Sequence, residues 1–348
     1  MINFEFDLQL FASVGDVVNT TTGHVNSTTG AATTTNVLSA TMKTYYDTEL
    51  LENARSELIF AQFGKKQPLP ANKGRTVEWR KWNTLPNAGV LQEGVIPTGE
   101  KLGMTTLNAS LEQYGMYVAI TDILDLHAID NVLLGATEEL GASAGETKDA
   151  LIRNVLMTGA NVMFGGMAES VDSIPEGSDG YLTADMVNVA ATILKKNKAP
   201  KINGKYVAII HPSAAYDLRS CDEWIEAHKY AATTEIFNGE IGELHGVRFV
   251  ETTNAPVYDY GGNAVYSTFF MGKDAYGIID PEGGSMEMIV KDKSEVGGPL
   301  EQYSTAGYKF EDCTKILYPE RLLRVDTYGA FSDVDSANTD SPYGGGIG

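Results

Sequence analysis

Apolar positions change period several times along the chain, and each change marks an element. From Met42 to Phe63, Tyr46, Leu50, Ala54, Leu58 and Ala61 recur every three or four residues, which predicts a helix with one buried face that stops at Gly64. Pro68 and Pro70 exclude its continuation. Thr76–Trp82 and Thr105–Leu111 then alternate apolar and polar side chains, as strands do. Between them lies a stretch rich in glycine and proline (Pro86, Gly89, Gly94, Pro97, Gly99, Gly103). It is longer, at roughly twenty residues, than an ordinary loop of a compact domain. The pattern predicts a long two-stranded ribbon with an irregular tip. A lone hairpin is marginal in water, so the ribbon is expected to lie on its own body or on a neighbour. Trp79 and Trp82 should point to its opposite faces.

Helical spacing returns at Asp122, with Thr121 or Asp122 as cap and Ile123, Leu126, Ile129, Val132, Leu133, Ala136 and Leu140 on one side. It resumes after Ala144 with Leu151, Ile152, Val155 and Leu156. A helical region from Asp122 to Phe164 would be on the order of 60 Å long. Gly135, Gly141 and Gly145 each weaken it by up to about 1 kcal/mol relative to alanine, so a bend or break is expected near them. Glu176–Gly180 reads as a turn, and Thr183 caps a helix with Met186, Val187, Ala190, Ile193 and Leu194 inward. Lys195, Lys196 and Lys198 suit its C-terminal end, and Pro200 ends it. Lys205–Ile210 is a strand of the fully buried type, and His211-Pro212 opens a second helix. Gly246–Glu251, Ser267–Met271 and Met286–Lys291 add strands, so residues 176–298 read as an α+β unit. Ala306–Glu311, Ile316–Pro319 and Leu322–Val325 are strand-like and are expected to return to the unit that holds the long helix.

The two ends differ from this body. The head Ile2–Ala12 alternates apolar and polar residues, and the Thr/Gly/Asn stretch behind it, to about Asn36, has little to bury and reads as an extended arm. The tail from Ser332, with Asp333, Asp335, Asp340 and four late glycines, reads as disordered.

Charge narrows the possibilities. Across 348 residues, 46 acidic against 26 basic side chains give a formal charge of −20. Such a chain repels nucleic acid, which disfavours sequence reading but is compatible with enclosing DNA without gripping it. Cys221 and Cys313 are expected to be reduced and buried, which points to intracellular synthesis. The head lacks a signal-peptide pattern, and the apolar runs fall short of a membrane span.

Catalytic motifs do not hold up. Gly141-Ala142-Ser143-Ala144-Gly145 matches a nucleophile elbow, but that chemistry needs a strand-to-helix turn, and here the pattern lies within a helical stretch. His24, His127, His211, His228 and His245 are scattered without ligand spacing, and Asp333, Asp335 and Asp340 lack the calcium-loop pattern. Gly261-Gly262-Asn263 reads as a turn between strands, and no phosphate or dinucleotide fingerprint occurs. Trp79-Arg80-Lys81-Trp82 interleaves aromatics with cations, but its isolation in an acidic chain favours strand packing with rim charges. No catalytic, cofactor or metal residue is therefore assigned. An apolar tip on an extended arm points instead to self-association. The expected inter-subunit contacts are Phe4, Phe6, Leu8, Leu10 and Phe11 of the head, Trp79, Arg80, Lys81 and Trp82 of the ribbon, and Glu93 and Lys101 of its loop.

The order of arm, helix, long two-stranded loop, very long helix, inserted α+β unit and returning strands resembles the major capsid proteins of tailed bacteriophages, with their Hong Kong 97-type fold. More narrowly it resembles the subfamily typified by the coat protein of the coliphage called N-four. Gly74–Trp79, Leu91–Val95, and Pro299–Gln302 followed by Gly307–Lys309 are similar to that subfamily, over about Met42 to Tyr328. Phe6–Ala12 resembles the opening of capsid genes in phages of Gram-positive bacteria. The resemblance implies an α+β chain divided into an N-terminal arm (1–41), a helix joining the peripheral domain (42–65), an extended loop or E-loop (66–112) and a peripheral domain with a spine helix (113–175). An axial domain (176–298), peripheral return strands (299–331) and a flexible tail (332–348) would follow. It implies a non-enzymatic structural protein that closes as hexamers and pentamers into an icosahedral head around double-stranded DNA. The implied partners are other copies of the chain, a separate scaffolding protein, a portal and possible decoration proteins; the implied location is the virion, assembled in the bacterial cytoplasm. One family member welds its shell through a Lys–Asn bond promoted by a glutamate. Lys81 and Lys101 have no matching partners, so non-covalent locking is expected. The alternatives are an encapsulin-like bacterial compartment, a tail or surface-layer protein, and a soluble enzyme with a composite site involving Ser143 or His211.

Overall fold

The computed structural model describes residues 24–25, 32–33, 58–69, 75–83, 85, 87–90, 94, 96, 99–127, 132–221, 223–225, 240–281, 287–291, 293–296 and 300–343. The head, nearly all of the arm, the helix expected over 42–57, Glu93 and the last five residues lie outside them.

β1 (His24–Val25) and β2 (Ala32–Thr33) pair antiparallel. α1 (Phe60–Phe63) stops at Gly64, whose extended backbone leads into β3 (Lys65–Leu69). β4 (Thr76–Trp82) and β5 (Met104–Ser110) form the expected antiparallel ribbon. The described residues between them lie in no helix or strand. β6 (Glu112–Thr121) follows, then α2 (Asp122–His127), where Thr121 Oγ1 accepts from Leu124 N at 3.4 Å. Next come α3 (Val132–Met157), β7 (Val162–Phe164), α4 (Ala184–Lys196), β8 (Tyr206–Ile210) and α5 (Pro212–Arg219). Five strands come after α5: β9 (Glu240–Leu244), β10 (Val247–Glu251), β11 (Val257–Tyr260), β12 (Asn263–Met271) and β13 (Tyr276–Pro281). β14 (Glu287–Lys291), α6 (Lys293–Val296), β15 (Tyr303–Asp312), β16 (Thr314–Ile316) and β17 (Leu322–Thr327) complete the order.

The long helix is shorter than its spacing predicts. α3 ends at Met157, and the last part of the expected helix is the strand β7. Its 26 residues span about 39 Å. Of the bend or break expected near Gly135, Gly141 and Gly145, a break does not occur: the helix is continuous through all three. Leu140, Ala144, Ile152 and Leu156 form a stripe exposed by 2% or less. Burying each large side chain is worth about 1.5–3 kcal/mol, which exceeds the propensity loss at each glycine. Ser143 lies in mid-helix, where its carbonyl accepts from the Thr147 hydroxyl at 2.7 Å.

The chain separates into two compact units. One comprises residues 1–55, 113–147 and 284–311; the other comprises 56–112, 148–283 and 312–348. Within the first, a three-stranded sheet runs β14-β15-β6. Tyr114 and Tyr308 each stack on Phe310, with ring centroids 5.7 and 6.1 Å apart. Two of its strands touch through glycines. A Cβ at Gly307 would come within 2.7 Å of Tyr117 Cβ, and one at Gly115 within 2.6 Å of the Tyr308 carbonyl. Only glycine allows so close an approach.

The second unit is built on a seven-stranded sheet, β7-β17-β12-β8-β10-β9, with β11 added along β12. β10 runs parallel to β8 and β7 to β17; β12 is antiparallel to β8, β11 and β17. One face carries α4 and α5, with Met186, Leu194, Leu218, Phe249 and Phe270 in a single cluster. The other face meets Phe60, Ile152, Leu156, Phe269 and Tyr276. α4 has the expected cap, Thr183 Oγ1 accepting from Met186 N at 3.4 Å. β3, β13 and β16 make a smaller sheet in the order β16-β13-β3. Pro68 is tolerated because β3 is an edge strand.

The tail requires a correction. Residues 332–343, expected to be disordered, pack on the second unit through polar groups the apolar pattern does not reveal. Asp335 Oδ2 accepts from Tyr266 OH at 2.7 Å and from Ser213 Oγ at 2.5 Å. Asn338 Oδ1 accepts from Val257 N, and its amide donates to the Ala255 carbonyl, both at 2.9 Å. The Tyr343 hydroxyl donates to Asp326 at 2.9 Å. Asn338→Ala should cost about 1–3 kcal/mol in urea unfolding, because Val257 N and Ala255 O lose buried partners; a change below about 0.5 kcal/mol would contradict the tail's structural role.

Asp217 gives a pH-dependent test. Burial pushes its carboxyl up to about 6, opposed by the hydrogen bond it accepts from Ala330 N. The folded chain therefore binds this proton more tightly than the unfolded one. Its contribution to stability is complete below about pH 4 and is lost as pH rises through about 6. Asp217→Asn should flatten that part of the stability profile; a profile parallel to the unmodified chain would refute the assignment.

Candidate assembly surfaces

The ribbon has two unlike faces. On one, Val77 opposite Ala109 and Trp79 opposite Leu107 close onto Ile279, Cys313 and Leu317. Trp79 is 5% exposed and its indole lies against Gly277, where a Cβ would come within 3.0 Å of Nε1. On the other, Trp82 faces Met104 and is 61% exposed. The difference follows from odd spacing in a strand.

The root of the ribbon is fixed by charge as well as by packing. Lys81 Nζ lies 2.8 Å from Glu320 Oε1 and 4.3 Å from the centre of the Tyr318 ring. The Arg321 guanidinium covers the same ring at 3.7 Å. Burial works to raise the Glu320 carboxyl, but the hydrogen bond and charge of Lys81 hold it below its ordinary value. Arg80 is exposed and pairs with its own strand neighbour Glu78 at 2.9 Å.

Beyond the root the chain leaves apolar side chains in water. Leu85, Val90, Ile96 and Leu102 are exposed, Val90 and Ile96 almost completely, and Trp82 and Met104 adjoin them. Large apolar side chains left uncovered along one stretch of chain are what an interaction surface would use. In the other unit, Met116, Tyr117, Val290, Leu300 and Tyr303 are also exposed.

Of the residues expected at inter-subunit contacts, Trp79 and Lys81 are engaged by their own chain, whereas Arg80, Trp82 and Lys101 are open to solvent. Phe4, Phe6, Leu8, Leu10, Phe11 and Glu93 lie outside the described residues. Sequence reasoning missed Leu85, Val90, Ile96 and Leu102. Their signal was available: large apolar residues in a Gly/Pro-rich stretch with no period that could bury them. Glu320 and Tyr318 lie too far along the chain for any pattern to link them to Lys81.

Among the described residues no group of three or more His, Cys, Asp or Glu side chains could hold a metal ion, and no helix is long and apolar enough to cross a membrane. Cys221 and Cys313 are not joined in a disulfide; Cys313 is buried and Cys221 partly so. Burial pushes the Cys313 thiol up to about 11.

The family model described as phage capsid protein matches residues 104–309, more than half of the chain. The chain belongs to that family: it is a structural capsid protein of the virion and not an enzyme. Its α+β fold is of the Hong Kong 97 type. The capsid of Ralstonia phage GP4 superposes with a TM-score of 0.65 at 17% identity, covering 84% of this chain and 96% of that one. The capsid of cyanophage Pam1 gives 0.64 at 16%, covering 84% and 98%. That of cyanophage P-SCSP1u gives 0.62 at 14%, covering 82% and 92%. No curated protein sequence matches the chain.

The two tryptophans separate folding from assembly. Trp79→Ala should destabilise the isolated subunit by about 3–5 kcal/mol, as for other buried aromatics. Trp82→Ala should change subunit stability by less than about 0.5 kcal/mol yet lower the yield of assembled particles. Equal losses of melting temperature in the two variants would contradict the two-faced ribbon.

Proposed function

We propose that this chain is the major capsid protein of a tailed double-stranded DNA phage, of the N-four type. Copies close as hexamers and pentamers into an icosahedral head, with residues 66–112 as the extended loop over a neighbouring subunit. One observation carries this reading within a capsid family: Trp82, Leu85, Val90, Ile96, Leu102 and Met104 are anchored at a fixed root and left uncovered by their own chain. α3 serves as the spine of the peripheral domain, and residues 176–298, which carry α4, α5 and β8 to β12 of the seven-stranded sheet, as the axial domain. Arg80, Trp82, Glu93 and Lys101, with the apolar head from Phe4 to Phe11, make the contacts between copies. Residues Trp79 and Lys81 serve those contacts by fixing the ribbon's direction.

The mechanism is mechanical. Each copy contributes modest interfaces, and closure sums them over many neighbours. The net charge of −20 keeps the inner wall from binding DNA, which is enclosed without sequence-specific contact. A separate scaffolding protein sets curvature, a portal occupies one vertex, and the lock between subunits is non-covalent.

Electron microscopy of the chain expressed with and without its neighbouring scaffold gene tests this directly. Closed icosahedral shells are expected. Helical tubes, flat sheets or a persistent small oligomer under both conditions would overturn the reading. Deleting residues 84–103 should leave a soluble subunit with a cooperative melt that no longer forms shells, and an insoluble product would show that the loop serves folding instead. Removing residues 1–36 should spare subunit melting and impair closure.

A further inference from the structure

The charges around α4 are sorted by sign. Between Asn154 and Leu194 the chain contains Glu169, Asp172, Glu176, Asp179 and Asp185 and no lysine or arginine. Between Met186 and Tyr216 it contains Lys195, Lys196, Lys198, Lys201 and Lys205 and no carboxylate. The first group leads into the N-terminus of α4 and the second leaves its C-terminus. Thirteen residues of helix set the two groups about 20 Å apart.

The basic end is a built surface, not a solvated run. Lys273 N donates to the Pro200 carbonyl at 2.8 Å, Arg321 donates to the Lys273 carbonyl at 3.1 Å, and the Asn197 amide donates to the Glu320 carbonyl at 3.1 Å. These bonds gather Lys195, Lys196, Lys198, Lys201, Lys273 and Arg321 into one patch. The lysines in it are exposed. Of the carboxylates on the same connections, Glu320 is taken by Lys81 and Asp274 remains. The acidic end is equally fixed. Gly180 passes so close to Pro175 that a Cβ would come within 2.1 Å of its carbonyl, and Tyr328 N donates to the Gly180 carbonyl at 3.1 Å. Tyr260 OH donates to Asp172, while Glu169, Glu176 and Asp179 stand exposed.

Helix dipoles explain Asp185, Lys195 and Lys196, which sit in the first and last turns. They do not explain Glu169, Glu176, Asp179, Lys198, Lys201 or Lys273, which lie off the helix. Nor do the two groups neutralise one another within a subunit, because their separation is about twice the screening length at 0.1 M salt. We propose that neighbouring subunits of the shell join head to tail here, the lysine patch of one copy receiving the acidic 169–179 segment of the next. The inference rests on the self-assembly reading. Copies that each carry −20 repel on approach, and an interface of opposite signs overcomes that locally while fixing register. A contact between two different patches is heterologous, the type that forms rings when the rotation between copies closes, as capsomers need.

A charge swap in the full-length chain tests it, under conditions where the unmodified chain makes shells. Lys198→Glu, Lys201→Glu and Lys273→Glu together should lower shell yield about tenfold or more, as should Glu169→Lys, Glu176→Lys and Asp179→Lys together. Combining all six should restore yield to within about threefold. Melting temperature of each soluble subunit checks that folding is intact. Unmodified capsomers should also loosen between 0.1 M and 1 M NaCl, where screening shortens to about 3 Å. Normal shells in either triple variant, or no recovery in the combined one, would overturn the proposal. So would normal empty shells that merely hold less DNA when the lysines are reversed, since phosphate would then be the partner. If the unmodified chain forms no shells, the self-assembly reading fails instead, independently of the swap.

Discussion

Everything in the second unit depends on burying β12 from both sides. Residues 264–271 are all buried, and alternate side chains serve opposite cores: Tyr266 and Phe270 join α4 and α5, whereas Val265, Phe269 and Met271 meet Phe60, Ile152 and Leu156. At about 1.5–3 kcal/mol per large side chain, this strand outweighs any single surface interaction in the unit. It also explains the neighbours it requires. A strand covered on both faces needs partners on both edges, and β8 and β17 supply them with every residue buried.

That burial forces polar groups inside; the carboxylates Asp149 and Asp326 are paired, whereas the Thr268 hydroxyl on β12 and the Thr327 hydroxyl on β17 accept and donate no hydrogen bond among the described residues. Asp149, 1% exposed, accepts from Phe60 N at 2.8 Å and from the Asn254 amide at 3.1 Å. Burial raises its carboxyl, while those bonds and the nearby Arg153 oppose the rise. Arg153 in turn donates to the Asn254 side chain at 2.8 Å and to the Asn338 carbonyl at 2.9 Å. On the sheet itself, Arg324 Nε lies 3.1 Å from Asp326 Oδ1, an ion pair without hydrogen-bond geometry. Asp326 is satisfied instead by Ser267, Tyr258 and Tyr343 hydroxyls at 2.6, 3.0 and 2.9 Å. A buried ion pair adds little net stability over apolar packing, but removing one partner is costly. These groups specify where the tail docks more than they strengthen the core.

This division marks what the sequence could tell. Strands and helices held by apolar period were legible: the ribbon pair 76–82 and 104–110, the capped helix after Thr183, and the buried strand before His211. β6 was not. Gln113-Tyr114-Gly115-Met116-Tyr117 does not alternate, because much of the strand is exposed and its glycine answers to a neighbouring strand. β3 was hidden by Pro68, which an edge position tolerates. The tail was misread because Asp335, Asn338 and Tyr343 pack by polar bonds to residues far away in sequence, which no local pattern records. For the assembly surface, the alternation placed Trp79 and Trp82 on opposite faces but could not tell which was covered. That depended on Ile279, Cys313 and Leu317, some two hundred residues on.

The same logic explains why a shell subunit holds its ribbon so firmly at one end. An apolar tip that swung freely would pay ordering entropy at every contact, and it would invite indiscriminate aggregation. Trp79 against Gly277 and Lys81 against Glu320 and Tyr318 order the root before any partner arrives. The cost of direction is thus met within one copy, during folding. On the proposed reading, what remains for assembly is the burial of Trp82 and the apolar residues beyond it, repeated in every copy. Weak contacts at fixed angles suit closure, because a misplaced subunit can leave before its neighbours complete the ring around it.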